Sequence, residues 1–103
     1  MTAEEITKLI DIELKAEKDL TNVFGLDLTK CIVVPTRQKY IHALDNTKSE
    51  QLWTVLEDSE DKSGYKIFYD EDENMFGLGI YSKTNELINI GYYGTFLETL
   101  YSM

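Results

Sequence analysis

The chain of 103 residues holds one cysteine, one histidine and one proline, and two of these scarcities exclude a class of function. A single thiol forms no internal disulfide, so nothing marks an oxidising compartment. One cysteine and one histidine cannot close a structural zinc site without carboxylate help, and no CxxC or HxxxH spacing occurs. Cations are also few: ten lysines and arginines face nineteen aspartates and glutamates, a net charge of −9. No apolar run approaches the roughly 20 residues that span a bilayer. The first residues, MTAEEITKLI, have neither the basic start nor the apolar core of a secretory signal. The expectation is a soluble, cytoplasmic protein. A field of this sign repels nucleic acid and anionic lipid and attracts basic partners.

What is present suits one globular domain over residues 1–103. Apolar residues make up 43%, enough for a chain of this length to bury roughly two-thirds of its unfolded surface. The charge is uneven: residues 1–22 sum to −3, residues 23–50 to +1 and residues 51–103 to −7. Solubility alone accounts for an acidic surface. A basic partner is the functional alternative.

Thr2 and Glu5 have the spacing of a capping box. Ile6, Leu9, Ile10, Leu14, Ala16 and Leu20 then recur at helical spacing, predicting a helix over about 3–22. Glu13 and Glu17 fall inside its apolar sector. They are either a metal or groove pair, or the edge of a partly buried face. KCIVVP, residues 30–35, reads as a buried strand closed by Pro35. The stretch that follows is ambiguous: Tyr40, Ile41 and Leu44 fit one helical face, and KYIHAL also fits a strand. QLWTVLED, YKIFYD, MFGLGIYS and LINIGYY are strand candidates separated by polar turns, which favours an antiparallel meander. Thr95 and Glu98 repeat the capping-box spacing before a short helix of Phe96, Leu97, Leu100 and Tyr101. The predicted fold is α+β: an N-terminal helix, an antiparallel sheet of about four to five strands and a short C-terminal helix.

No catalytic set assembles from these residues. Asp70, Asp72 and Asn74 match the first three ligand positions of a calcium loop. Met75 then stands where glycine is required and Tyr81 where a bidentate glutamate belongs. Cys31 lies in an apolar strand candidate and His42 in the ambiguous stretch, with no third residue to orient them. Gly77 and Gly79 precede a strand, and Gly91 and Gly94 suit a sharp turn into the last helix better than a phosphate loop. The expectation is a protein that is not an enzyme and holds neither metal nor cofactor. The carboxylates of the YDEDEN turn are predicted to be exposed and solvated.

The segment LWTVLEDSEDKSGYKIFYDEDENMFGLGIYS, together with GYYGTFLETLYSM, resembles small immunity proteins of bacterial polymorphic-toxin and contact-dependent growth inhibition systems. The resemblance lies in an LWxVLE strand, a GYxIxYDE strand, an FGL strand and a GxYGxFLETL terminus, over roughly residues 51–103, about half the chain. It implies an antidote that neutralises a cognate toxin domain by stoichiometric binding; many such toxins are nucleases with basic surfaces. On that reading Asp70, Glu71, Asp72 and Glu73 contact the partner, with Glu57, Asp58, Glu60 and Asp61 as a second acidic turn. Alternate turns of a meander lie at opposite ends, so the two groups need not form one patch. Tyr65, Phe68, Tyr69, Tyr92 and Tyr93 divide between core and contact anchors. The alternative is an acidic interaction or regulatory module without a toxin partner.

Overall fold

The computed structural model describes residues 2–15, 32–44, 47–57, 64–82 and 86–102. Helix α1 (Ala3–Lys15) is followed by strands β1 (Ile32–His42), β2 (Ser49–Glu57), β3 (Lys66–Asp70), β4 (Met75–Tyr81) and β5 (Leu87–Gly94), and by helix α2 (Phe96–Tyr101). The α+β class and the five strands agree with the sequence. The predicted extension of the first helix to residue 22, Glu17 within it, and Cys31 lie outside the described residues.

Both helices begin with the capping boxes that their sequences predict. The amide of Glu5 donates to Thr2 Oγ1 at 3.2 Å, and the Thr2 amide donates to Glu5 Oε1 at 3.0 Å. Thr95 and Glu98 make the same reciprocal pair at α2. Ile6 and Ile10, one turn apart, carry the buried stripe of α1. They pack with Val55, Leu56, Ile67 and Tyr69 of the sheet and with Phe96 and Leu100 of α2. Burying each isoleucine contributes about 1.5–3 kcal/mol, which outweighs the weak intrinsic helicity of a 13-residue segment.

The sheet is not an open meander. Four seams are antiparallel, and β1 and β5 then pair in parallel through Tyr40–His42 and Leu87–Asn89, closing a five-stranded barrel. The seam covers part of the sheet edge that an open meander would expose, over three residues of each strand. Pro35 does not end the first strand either. It is buried within β1, at a register irregularity between Ile32 and Thr36 where the ladder to β2 is interrupted. A residue without an N–H is tolerated there because no ladder bond is lost. The ambiguous KYIHAL stretch is accordingly β-strand as far as His42.

A five-stranded barrel has a narrow interior, and FGLG is how the sequence makes room in it. Tyr40, Leu52, Phe68 and Leu87 fill the inside. The Tyr40 and Phe68 rings lie 5.1 Å apart, and Tyr92 meets Phe68 edge-on at 5.5 Å. A β-carbon on Gly77 would stand 2.4 Å from Phe68 Cζ, and one on Gly79 2.6 Å from Tyr40 Cε2. The two glycines, alternating with outward-facing residues, are the floor on which the rings rest. Lys66 is also buried, its ammonium 4.9 Å from the centre of the Tyr81 ring.

Tyr40 is fully enclosed, and its hydroxyl lies 2.5 Å from Thr54 Oγ1. Thr54 uses its own proton on Gln38 Oε1, so Tyr40 is the donor to Thr54. Burial, opposed in part by the Thr54 bond, pushes the Tyr40 phenol well above its ordinary value of 10.0. The unfolded chain loses this proton near pH 10 and the native protein does not, so above that pH the unfolded state binds fewer protons. Stability is therefore complete below about pH 10 and falls by about 1.4 kcal/mol per pH unit as pH rises toward the native value. Urea midpoints measured between about pH 9 and pH 11.5 should fall less steeply for Tyr40→Phe than for wild type. Equal slopes would show that this phenol is not the protected one.

Candidate functional site

By strand direction the C-terminal ends of β1, β3 and β5 and the N-terminal ends of β2 and β4 point to one end of the barrel, and the parallel seam is staggered, with Tyr40–His42 at the end of β1 beside Leu87–Asn89 at the start of β5. The acidic turn lies there. Glu57 pairs with Lys66 at the opposite end and is partly buried. The separation of the two acidic turns expected of alternate turns holds for Glu57. Asp58, Glu60 and Asp61 lie outside the described residues.

The four consecutive carboxylates of the turn do three different things. Asp70 is not an exposed tip residue: it is 3% exposed, at the end of a strand in which every residue is buried. Its Oδ1 accepts from the amides of Asp72 at 3.0 Å and Glu73 at 3.3 Å, and its Oδ2 accepts from the Tyr92 hydroxyl at 2.7 Å. The first pair is the aspartate-turn geometry that fixes a tight loop. Strand parity sets the side on which it is buried: Ile67 and Tyr69 face the helix-covered core, and Asp70 shares the barrel side with Phe68. Glu71 pairs with Arg37 at 3.3 Å, and Arg37 lies over the Trp53 ring at 5.3 Å. Asp72 and Glu73 remain exposed. Asn74 ends the turn at φ 54°, a left-handed conformation that asparagine tolerates, and its Oδ1 accepts from the Tyr69 hydroxyl at 2.5 Å.

A recess of about 310 Å³ opens at the same end, where β1 and β5 meet, walled mainly by His42, Leu44, Ile90 and Tyr92. Glu50 ties two of these side chains together. Its Oε1 is 3.1 Å from His42 Nε2, and its Oε2 is 3.5 Å from the Tyr92 hydroxyl. An ionised carboxylate only accepts, so Nε2 carries the imidazole proton. Burial first, and then the neighbouring Asp70 and Glu50 carboxylates, push the Tyr92 phenol well above its ordinary value. Tyr92 is thus a neutral donor, and its one proton goes to the nearer acceptor, Asp70. Neither Glu50 nor Tyr92 stands out in sequence as part of this group. Alternation in KYIH and SEQLWT, read as paired strands, would have put His42 and Glu50 on the inward face.

Glu13 has a destination too. Its two carboxylate oxygens accept from the amides of Phe96 and Leu97, each at 3.1 Å, so α1 satisfies the open N-terminus of α2. Glu13→Ala should lower stability by about 1–2 kcal/mol in urea titrations, and Glu13→Gln by less, because the amide oxygen still accepts. Equal losses would mean that only packing was disturbed.

Among the described residues, no three histidine, cysteine, aspartate or glutamate side chains converge to hold a metal ion. Of the three residues that match the start of a calcium loop in sequence, Asp70 is engaged by turn amides and Tyr92, and Asn74 by Tyr69. Among the aromatics, Phe68 and Tyr69 are core, whereas Tyr65 and Tyr93 are exposed. No helix among the described residues is long and apolar enough to cross a membrane. No family model matches the sequence, and neither a curated protein nor a solved structure matches it.

Proposed function

We propose that this protein is a stoichiometric antidote that binds a basic toxin domain through the acidic end of its barrel, in the manner of the immunity proteins that its second half resembles. The observation that carries the reading is the build of the β3–β4 turn. Asp70 and Asn74 lock it from both sides, so Asp72 and Glu73 are held out in one arrangement. A preorganised charged turn loses little entropy on binding. On a chain of net charge −9, it speeds encounter with a cationic surface and helps to select it. A nuclease-type toxin presents such a surface to its phosphate substrate, and an acidic barrel end would block it.

The test is growth of cells expressing the toxin-like domain encoded beside this gene, with and without this protein, together with recovery of the complex. Rescue with a stable complex supports the antidote reading; neither rescue nor complex sinks it. Asp72→Lys with Glu73→Lys should then slow association by about tenfold or more at low salt, with the difference shrinking as salt rises. The fold should be unaffected, because both residues are exposed. Recovery of a specific partner that is not a toxin would favour the interaction-module reading instead.

A further inference from the structure

The recess at the acidic end has a chemistry that its neighbours do not use up. Leu44 is fully exposed, and with Ile90 it gives the opening an apolar wall. Tyr92 lines the other side, and behind it the Glu50 and Asp70 carboxylates both lie within 3.5 Å of its phenol oxygen. That oxygen carries one proton for two carboxylates, and Asp70, at 2.7 Å, takes it. Asp70 is buried and saturated by two turn amides besides. Glu50 differs, with its side chain 42% exposed and one oxygen only at the limit of a hydrogen bond. His42 engages the other Glu50 oxygen.

A recess with an apolar wall and a tyrosine in its lining, backed by a partly exposed carboxylate that bonds to two of its lining residues, complements a long side chain with an apolar stem and a planar cationic head. Lysine fits the charge alone. A guanidinium fits the charge and brings several donors in one plane, so that it can meet both Glu50 Oε2, the oxygen His42 does not hold, and the Tyr92 hydroxyl oxygen.

We propose that this recess is a docking site for an arginine side chain of a basic protein partner, its guanidinium received by Glu50 and Tyr92 and its methylene stem lying along Leu44 and Ile90. The site rests on the basic-partner reading above and extends it. The turn acids Asp72 and Glu73 steer the encounter, and the recess supplies the anchored contact, a division that interfaces use when rim charges set the rate and a few buried contacts set the lifetime.

The experiment titrates the intact, isotopically labelled protein with Nα-acetyl-arginine amide and, separately, with Nα-acetyl-norleucine amide, which has an apolar side chain and no charge. Saturable shifts at His42, Tyr92 and Ile90 are expected with the arginine probe. Binding should weaken by about fivefold or more for the norleucine probe and for Glu50→Gln, the loss of one partly exposed charge pair. Glu50 is exposed, so the variant should fold; an unchanged spectrum away from the recess checks this. No saturable shift at the recess, equal binding of the norleucine probe, or an unaffected Glu50→Gln would each overturn the site.

The two proposals fail separately. Arginine binding without a toxin complex keeps the recess and removes the antidote. A toxin complex that forms unaltered with Glu50→Gln, with no arginine binding, keeps the antidote and removes the recess.

Discussion

Asp70→Ala is expected to lower stability by about 2–4 kcal/mol, while Asp70→Asn costs about 1 kcal/mol. Alanine removes three hydrogen bonds to a charged acceptor at once: those from the amides of Asp72 and Glu73 and that from Tyr92. Asparagine keeps an oxygen for the two amides and turns its NH2 toward the Tyr92 oxygen, so most of the network survives with donor and acceptor exchanged. Tyr92→Phe leaves Asp70 Oδ2 without that donor in a side chain only 3% exposed. Its expected cost is about 2–3 kcal/mol, since an unsatisfied buried carboxylate bears its own desolvation. The double variant Asp70→Ala with Tyr92→Phe should cost clearly less than the sum of the two, because each single change removes the same bond. Urea titrations followed by the fluorescence of Trp53 would read all four. An alanine variant as stable as the asparagine one would mean that the carboxylate does not hold the turn. Asp70 then belongs to the turn's support, and Asp72 and Glu73 to its outward chemistry.

Gly77→Ala should be the most damaging of the conservative changes, at about 3 kcal/mol or more, the upper end of what overpacking costs. The new β-carbon would lie 2.4 Å from the carbonyl oxygen of Gly91 and 2.4 Å from Phe68 Cζ. The first neighbour is backbone of the paired strand, so β4 and β5 must separate at a point where their register is already irregular. The second is a ring wedged against Tyr40 and Tyr92, and interiors packed at crystal density transmit such displacements. Shortening the ring with Phe68→Leu in the Gly77→Ala background should recover part of the loss and not all of it, because the carbonyl contact remains. Full recovery would place the whole conflict at the ring. A thermal or urea midpoint unchanged by Gly77→Ala would show that the barrel is wider than the packing described above.

The parts of this protein that were legible from sequence are those written in neighbouring residues. Thr2 with Glu5 and Thr95 with Glu98 mark two helix starts because a capping box closes within four residues. The strands on either side of the YDEDEN turn were readable because apolar runs broken by polar turns need no distant partner to declare themselves. Pro35 was misleading, since its effect depends on whether the ladder needs an N–H at that position, and the irregularity between β1 and β2 removes the need. Asp70 was misplaced for a related reason. Four consecutive acids look alike in sequence, and only strand parity and a tyrosine 22 residues away separate the buried one from the exposed ones.

By itself, then, the sequence determined the α+β class, the two capped helices, the strand-rich second half and a net charge of −9. Those properties follow from local periodicity and composition, which no tertiary contact can alter. Tertiary structure decided that the sheet closes through a parallel β1–β5 seam and that Glu13 caps a helix 83 residues away. It also decided that His42, Glu50, Asp70 and Tyr92 meet at one end of the barrel. Each of these joins residues far apart in the chain, and which distant groups meet is set by strand order and register, quantities that depend on how the whole interior packs around Tyr40, Phe68 and the two glycines beneath them.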